Sequence, residues 1–367
     1  MIRNFLRWAI VIALCVATSA GSLVAQENAA GIDSTTASSS SADPQTQTAP
    51  PPPAAAPSAQ PLPMPSTAGP VQTAVPRTFD AGPFGRLDVT GILSGMGLVQ
   101  GNWVTGDRST HWDLSNGQIF IQKTTGWWQF YLQAGAYNLP ALGAPFLSTI
   151  NTVSDFYGPF PQGYLKLAPK GNFSVEIGAL PTLIGAEYTF TFENMNIERG
   201  LLWNQENAVN RGVQINDSIG HLSGSISWND GFYSNRYTWL LGSLSYSINA
   251  ANTLAFVGGG NLGHTAFTTV ATPVQNNSDM YNLIYTYSHE SWTIQPYFQY
   301  TTVPTDAKIG VLHGAATRGV ALLLNYNFKH NLSLAGRAEY ISSTGSVSNG
   351  AVNLMYGPGS GAWSVTL

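Results

Sequence analysis

Leu222-Ser-Gly-Ser-Ile-Ser-Trp-Asn229 alternates between two chemistries, with Leu222, Gly224, Ile226 and Trp228 in one set and Ser223, Ser225, Ser227 and Asn229 in the other. A period of two marks a β-strand, whose successive side chains point to opposite faces of a sheet. The same grammar extends in both directions along the chain. Trp128, Phe130 and Leu132 alternate with Gln129, Tyr131 and Gln133, and Leu240, Leu244, Tyr246 and Ile248 with Ser243, Ser245 and Ser247. Trp292, Ile294, Phe298 and Tyr300 oppose Thr293, Gln295, Gln299 and Thr301, and Val320, Leu322, Leu324, Tyr326 and Phe328 oppose Gly319, Ala321, Asn325 and Asn327. One set reads as facing lipid and the other as facing water.

Soluble β-sandwiches alternate as well, so the connections must separate the two classes. Turn residues cluster near 124–126, 169–172, 217–221, 249–252, 289–291 and 329–331. Long segments lie near 100–117, 138–161, 180–208, 229–237, 261–279, 303–316 and 342–361. Links that are alternately short and long are those of an outer-membrane barrel, with tight periplasmic turns and larger external loops. The expected fold is therefore all-β, a transmembrane antiparallel up-and-down β-barrel over residues 80–367. Thirteen strands can be counted, plus the start of another at Trp363, Val365 and Leu367. That last segment is shorter than the ~9–11 residues a crossing strand needs. The expectation is a barrel incomplete at its C-terminus, with about fourteen to sixteen strands in full; closure at fourteen is the alternative.

Composition points the same way. Charged residues make up 9% of the chain, against roughly 25% in soluble domains. A surface so poor in charge suits a sheet whose outer face meets lipid and whose inner face is wetted by uncharged polar side chains. The formal net charge of −4 offers no basic stripe for nucleic acid. The single cysteine, Cys15, excludes a disulfide framework, and no cofactor or metal motif is visible.

Arg3 and Arg7 precede the apolar run Trp8 to Ala17, and small residues lead to Ala25. This reads as a secretory signal peptide over 1–25, because the run is well short of the ~20 residues of a spanning helix. Residues 26–79 carry half of the prolines, including Pro50 to Pro53, and cannot bury a core. Disorder is expected there; an inert linker is the simpler reading and a tether toward the cell wall the other. Aromatics at strand ends (Trp127, Trp128, Tyr164, Trp228, Tyr237, Trp239, Trp292, Tyr326, Phe328 and Tyr340) read as two interfacial girdles.

The stretch Leu180 to Gly212 departs from this monotony: Glu187, Glu193, Glu198, Arg199, Glu206 and Arg211 crowd into one connection. Asn194 to Trp203 fits a short helix capped by Asn194 or Asn196. Either the connection folds into the lumen, where its charges sort solutes by size and charge, or it is an external loop whose ion pairs hold only its own shape. Arg337 and Glu339 alternate with Leu334, Gly336, Ala338 and Tyr340, and Lys166 and Glu176 face each other across a hairpin. These four are expected on the inner wall, as selectivity residues or as a brace.

The blocks Gly200-Leu-Leu-Trp-Asn-Gln-Glu-Asn207 and Trp228-Asn-Asp-Gly-Phe-Tyr233 resemble the OmpL-like β-barrel porin-2 family, and the resemblance runs from about Phe84 to the end. It implies an outer-membrane channel and brings no established substrate or catalytic residues. Members look as if they continue by further strands, where this chain stops.

An enzyme would need a nucleophile beside a histidine. His111, His221, His264, His289, His313 and His330 are scattered, without a recognisable motif. The reading is a non-enzymatic channel for passive diffusion of small hydrophilic solutes. The alternative is a non-conducting barrel for adhesion or envelope anchoring. Nothing in the sequence decides whether it forms a homo-oligomer.

Overall fold

The computed structural model describes residues 76–169, 172–266, 272–328, 332–354 and 356–367. The signal peptide, nearly all of the proline-rich segment, part of the turn at 169–172 and the whole turn at 329–331 lie outside the described residues.

Each strand pairs antiparallel with its neighbours in sequence, so fifteen strands follow one another in a single sheet in chain order. They are β1 (Arg77–Asp80), β2 (Arg86–Val99), β3 (Thr110–Lys123), β4 (Trp128–Tyr137), β5 (Gln162–Leu167), β6 (Ser174–Pro181), β7 (Val209–Ile219) and β8 (Leu222–Asn229). The rest are β9 (Trp239–Asn249), β10 (Asn252–Asn261), β11 (Asp279–His289), β12 (Trp292–Val303), β13 (Ala315–Asn327), β14 (Ser333–Ser343) and β15 (Gly361–Thr366). The thirteen strands and the beginning of a fourteenth counted from the alternation are β2 to β15. The addition is β1, which pairs Arg77 with Val89 and Asp80 with Arg86, so the boundary expected at 79/80 falls inside a strand. Among the described residues no ladder joins β15 to β1 or β2.

Register explains the outer surface. Leu244 lies opposite Phe256, Phe256 opposite Leu283, Leu283 opposite Phe298, Phe298 opposite Val320, Val320 opposite Tyr340, and Tyr340 opposite Trp363. These seven residues form one continuous row across β9 to β15, and all are exposed. Their sequence neighbours point the other way: Val257, Ile284, Ala321 and Ile341 are buried. An apolar row on the outside of a sheet is stable only against a non-aqueous medium. Most of the girdle aromatics belong to this outer surface, including Trp127, Trp228, Tyr237, Trp292, Phe328 and Tyr340. Tyr164 and Trp239 do not; both are buried on the inner face.

The inner face differs between its two halves. Asn116, Gln118, Gln122, Gln133, Gln162 and Gln214 line β3 to β7, as the polar set predicts. On β9 to β14 the inner positions include Leu241, Val257, Ile284, Leu323 and Ile341. The expectation of a uniformly polar inner wall therefore fails on that half, because another part of the chain covers it.

Candidate functional site

The covering element is the connection 182–208 between β6 and β7. Its ends continue the ladder, with the amide of Thr182 donating to the carbonyl of Ala208 at 3.1 Å. Between them it crosses the concave side of the sheet. Asn116 of β3 donates to Thr191, and the amide of Leu201 donates to Glu339 of β14 at 3.0 Å. β3 and β14 stand eleven places apart in strand order, whereas Thr191 and Leu201 are ten residues apart. The sheet must curl around the connection for both contacts to exist.

Apolar packing fixes its position. Leu183, Ile184, Leu201 and Leu202 are buried against Trp239, Leu241, Val257, Met280, Ile284, Leu323 and Ile341. Burying such side chains is worth roughly 1.5–3 kcal/mol each. Polar contacts set the register. Asn282 of β11 accepts from the amide of Gly185 at 3.2 Å, Gln299 of β12 donates to the carbonyl of Leu202 at 3.0 Å, and Thr317 of β13 donates to Gln205 at 2.7 Å. A Cβ on Gly200 would lie 2.0 Å from Glu339 Oε1, so only glycine lets the backbone approach that carboxylate.

The helix expected over 194–203 does not form. Single 3₁₀ turns occupy Thr191–Glu193 and Trp203–Gln205, with irregular backbone between them. The Asn194 side chain turns backward, accepting from the amide of Tyr188 at 2.7 Å and donating to the carbonyls of Tyr188 and Phe190. It closes the preceding loop, so the cap that a helix start would require is absent.

Charges gather where the connection meets β14. Arg337 Nη1 lies 2.5 Å from Glu187 Oε1, and Arg337 Nε lies 3.1 Å from Glu339 Oε2. Arg337 also donates to the carbonyl of Glu198 at 2.7 Å. Glu187 accepts from the amide of Gly200, and Glu339 from Ser364. Arg199, wholly buried, donates to the carbonyls of Thr189 and Ile197; burial lowers its guanidinium to about 10. Glu193 accepts from the amide of Phe190 at 3.2 Å, and burial pushes its carboxyl up to about 7. Glu206 is buried beside Gly185, and neither of its carboxylate oxygens has a hydrogen-bond partner among the described residues. Burial, followed by repulsion from Glu187 and Glu339, raises its carboxyl well above the ordinary range.

Two other candidates stand apart from this cluster. Lys166 and Glu176, partners in the β5–β6 ladder, form an ion pair of 3.2 Å on the inner face. Arg211 shares its face with Val213 and Ile215, opposite to Asn210, Gln214 and Asn216. It is held by Asp230 at 2.9 Å and by the ring of Tyr233, 3.9 Å from the centroid. Arg211 is therefore not on the inner wall: it lies in a strand, and strand parity sends it outward. Asp230 and Tyr233, within the Trp-Asn-Asp-Gly-Phe-Tyr block, were not among the expected site residues. Nor was Tyr297 of β12, buried on the inner face with its hydroxyl unpartnered among the described residues. Its position in the polar alternation with Gln295 and Gln299 was the available signal.

A family described as putative beta-barrel porin-2, OmpL-like, matches residues 86–367. The chain belongs to this family. Membership in the β-barrel porin-2 family makes it an outer-membrane β-barrel of the porin-like channel kind. No curated protein matches the chain. Among solved structures, OmpT of Vibrio cholerae with its loop L8 deleted is 13% identical, with a TM-score of 0.43 over 70% of this chain and 82% of that one. OccK5 (OpdH) of Pseudomonas aeruginosa is also 13% identical, with a TM-score of 0.38 over 76% and 74%. The anion-selective porin from Comamonas acidovorans is 11% identical, with a TM-score of 0.33 over 70% and 89%. Likeness at this level carries nothing about the solute handled by this porin-2 chain.

Proposed function

We propose that this porin-2 chain passes small hydrophilic solutes across the outer membrane by passive diffusion, with the connection 182–208 narrowing the passage and its charges acting on what goes through. The observation that carries this reading is the set of contacts from the connection to both β3 and β14, which lays Glu187, Glu193, Glu198, Arg199 and Glu206 across the concave side of the sheet. The polar set on the inner face of β3 to β7 supplies hydrogen-bonding groups along that side of the interior. No step in this function asks for a catalytic group.

The apolar packing of Leu183, Ile184, Leu201 and Leu202 favours a second reading, because it fills interior space. On that reading the protein is a non-conducting barrel used for adhesion or anchoring. Conductance of the refolded protein in a planar bilayer, with neutral sugars of graded size as blockers, separates the two. Discrete conductance steps blocked by small sugars support diffusion, and a silent bilayer supports the second reading.

A further inference from the structure

Around Glu206 the carboxylates Glu187, Glu193, Glu198 and Glu339 already outnumber the two cations, Arg199 and Arg337. Arg337 is matched by Glu187 and Glu339 at ion-pair distance, and Arg199 lies in the field of Glu187, Glu193 and Glu198. Of the connection's buried carboxylates, Glu187 and Glu193 each accept a backbone amide. Glu206 has no donor on either oxygen among the described residues, and the groups that face it are Glu187 from the connection and Glu339 from β14. Tyr297 of β12 lies in the field of the same three carboxylates and of Arg337. Gly185, at φ +87°, sits so close that a Cβ there would lie 1.8 Å from Glu206 Oε2, so the backbone lies directly against the carboxyl. A buried carboxylate with no donor and like charges for neighbours holds its proton long after an ordinary one has lost it.

Resting on the channel reading above, we propose that Glu206 is a specificity-determining residue whose protonation sets the charge preference of the passage. Carrying its proton, Glu206 adds nothing to the excess of carboxylates around it. Losing it adds one negative charge that no cation on the connection or the facing wall offsets. The class of solute favoured then shifts toward cations. The sign follows directly: the proton-bound form prevails at lower pH, so cation preference grows as pH rises. Glu193 titrates in the same sense, but its carboxylate keeps the Phe190 amide and the field of Arg199, so its ionisation is partly compensated.

The test is the reversal potential under a potassium chloride gradient, from about pH 5 to about pH 9, with heat-modifiable gel migration as the check on folding. Wild type is expected to raise its cation-to-anion permeability ratio by roughly threefold or more, since a single charge in a low-dielectric passage concentrates counter-ions. Glu206→Gln should lose most of that rise, Glu206→Asp should retain it, and Glu193→Gln should retain its upper part. A conducting Glu206→Gln protein with the wild-type pH response overturns this inference and leaves the channel reading standing. A flat wild-type response also overturns it, without recourse to any variant. A folded protein that conducts nothing overturns the channel reading together with the inference built on it.

Discussion

Arg337 of β14 and Glu187 of the inward connection form a buried ion pair, Nη1 to Oε1 2.5 Å, between residues 150 positions apart in sequence. Such a pair adds little net stability compared with well-packed apolar side chains, but removing one partner strands the other in a poor solvent. Arg337→Met should therefore destabilise the docked connection by about 3–5 kcal/mol, leaving both Glu187 and Glu339 without their counter-charge. Arg337→Met combined with Glu187→Leu should cost clearly less than the sum of the single changes. Denaturant unfolding in detergent, analysed as a double-mutant cycle, measures the coupling; strictly additive effects would show that the pair is not formed.

Lys166 offers a milder case. Its ammonium lies 3.2 Å from Glu176 on the polar half of the inner wall, and its side chain retains 13% exposure. The Glu176 side chain keeps only 5% exposure, so removing its partner strands a largely buried carboxylate. Lys166→Gln should destabilise the protein, though less than Arg337→Met, because Gln214 still donates to Glu176, while removing a positive charge from the wall. The expected result is a reversal potential shifted toward cations at neutral pH, and a shift toward anions would contradict the placement of Lys166.

The outer row supplies a test of the membrane-facing surface. Leu283 lies between Phe256 and Phe298 in the ladder and is 48% exposed. An arginine on the lipid face costs about 2–4 kcal/mol at the midplane. Leu283→Arg should lower folding stability in lipid vesicles by that order, while the change Leu283→Phe should be tolerated. Equal stability of the two variants would mean that this row does not face hydrocarbon.

Much of the fold was legible because strand parity is a local property. From Leu222 to Asn229, exposure at Leu222 and Trp228 and burial at Ser227 and Asn229 follow the alternation. Parity also placed Lys166, Glu176, Arg337 and Glu339 inward. It could not reveal β1, whose four residues follow a proline tract and derive their order from pairing with β2. Nor could it explain Leu241, Val257, Leu323 and Ile341 at inner positions, because their partners are Leu183, Ile184, Leu201 and Leu202, distant in sequence. Residues 320–324, Val-Ala-Leu-Leu-Leu, read as apolar on both faces for the same reason. Arg211 was misplaced by taking Leu180 to Gly212 as one connection, when β7 already begins at Val209. The helix failed over 194–203 because Asn194 and Arg199 spend their hydrogen bonds on neighbouring carbonyls.

Glu193 gives the docking of the connection a pH dependence of known sign. Its carboxyl moves from an ordinary 4.5 to about 7 because burial penalises the charge more than the Phe190 amide and Arg199 relieve it. The docked state thus binds a proton that an undocked, solvated Glu193 would release. Stability is greatest below the ordinary value and declines as pH rises through about 7, where both states become ionised. At about 1.4 kcal/mol per pH unit, the decline amounts to something on the order of 3 kcal/mol. Glu193→Gln keeps an acceptor for the Phe190 amide and has no proton to lose. Its unfolding free energy should fall less steeply than that of wild type over that interval, the raised carboxyl of Glu206 still contributing a decline of the same sign, and exceed that of wild type at the alkaline end. Thermal or denaturant unfolding at about pH 5 and about pH 8 reads the difference, and a wild-type protein that gains stability with rising pH would reverse the sign argued for this carboxyl.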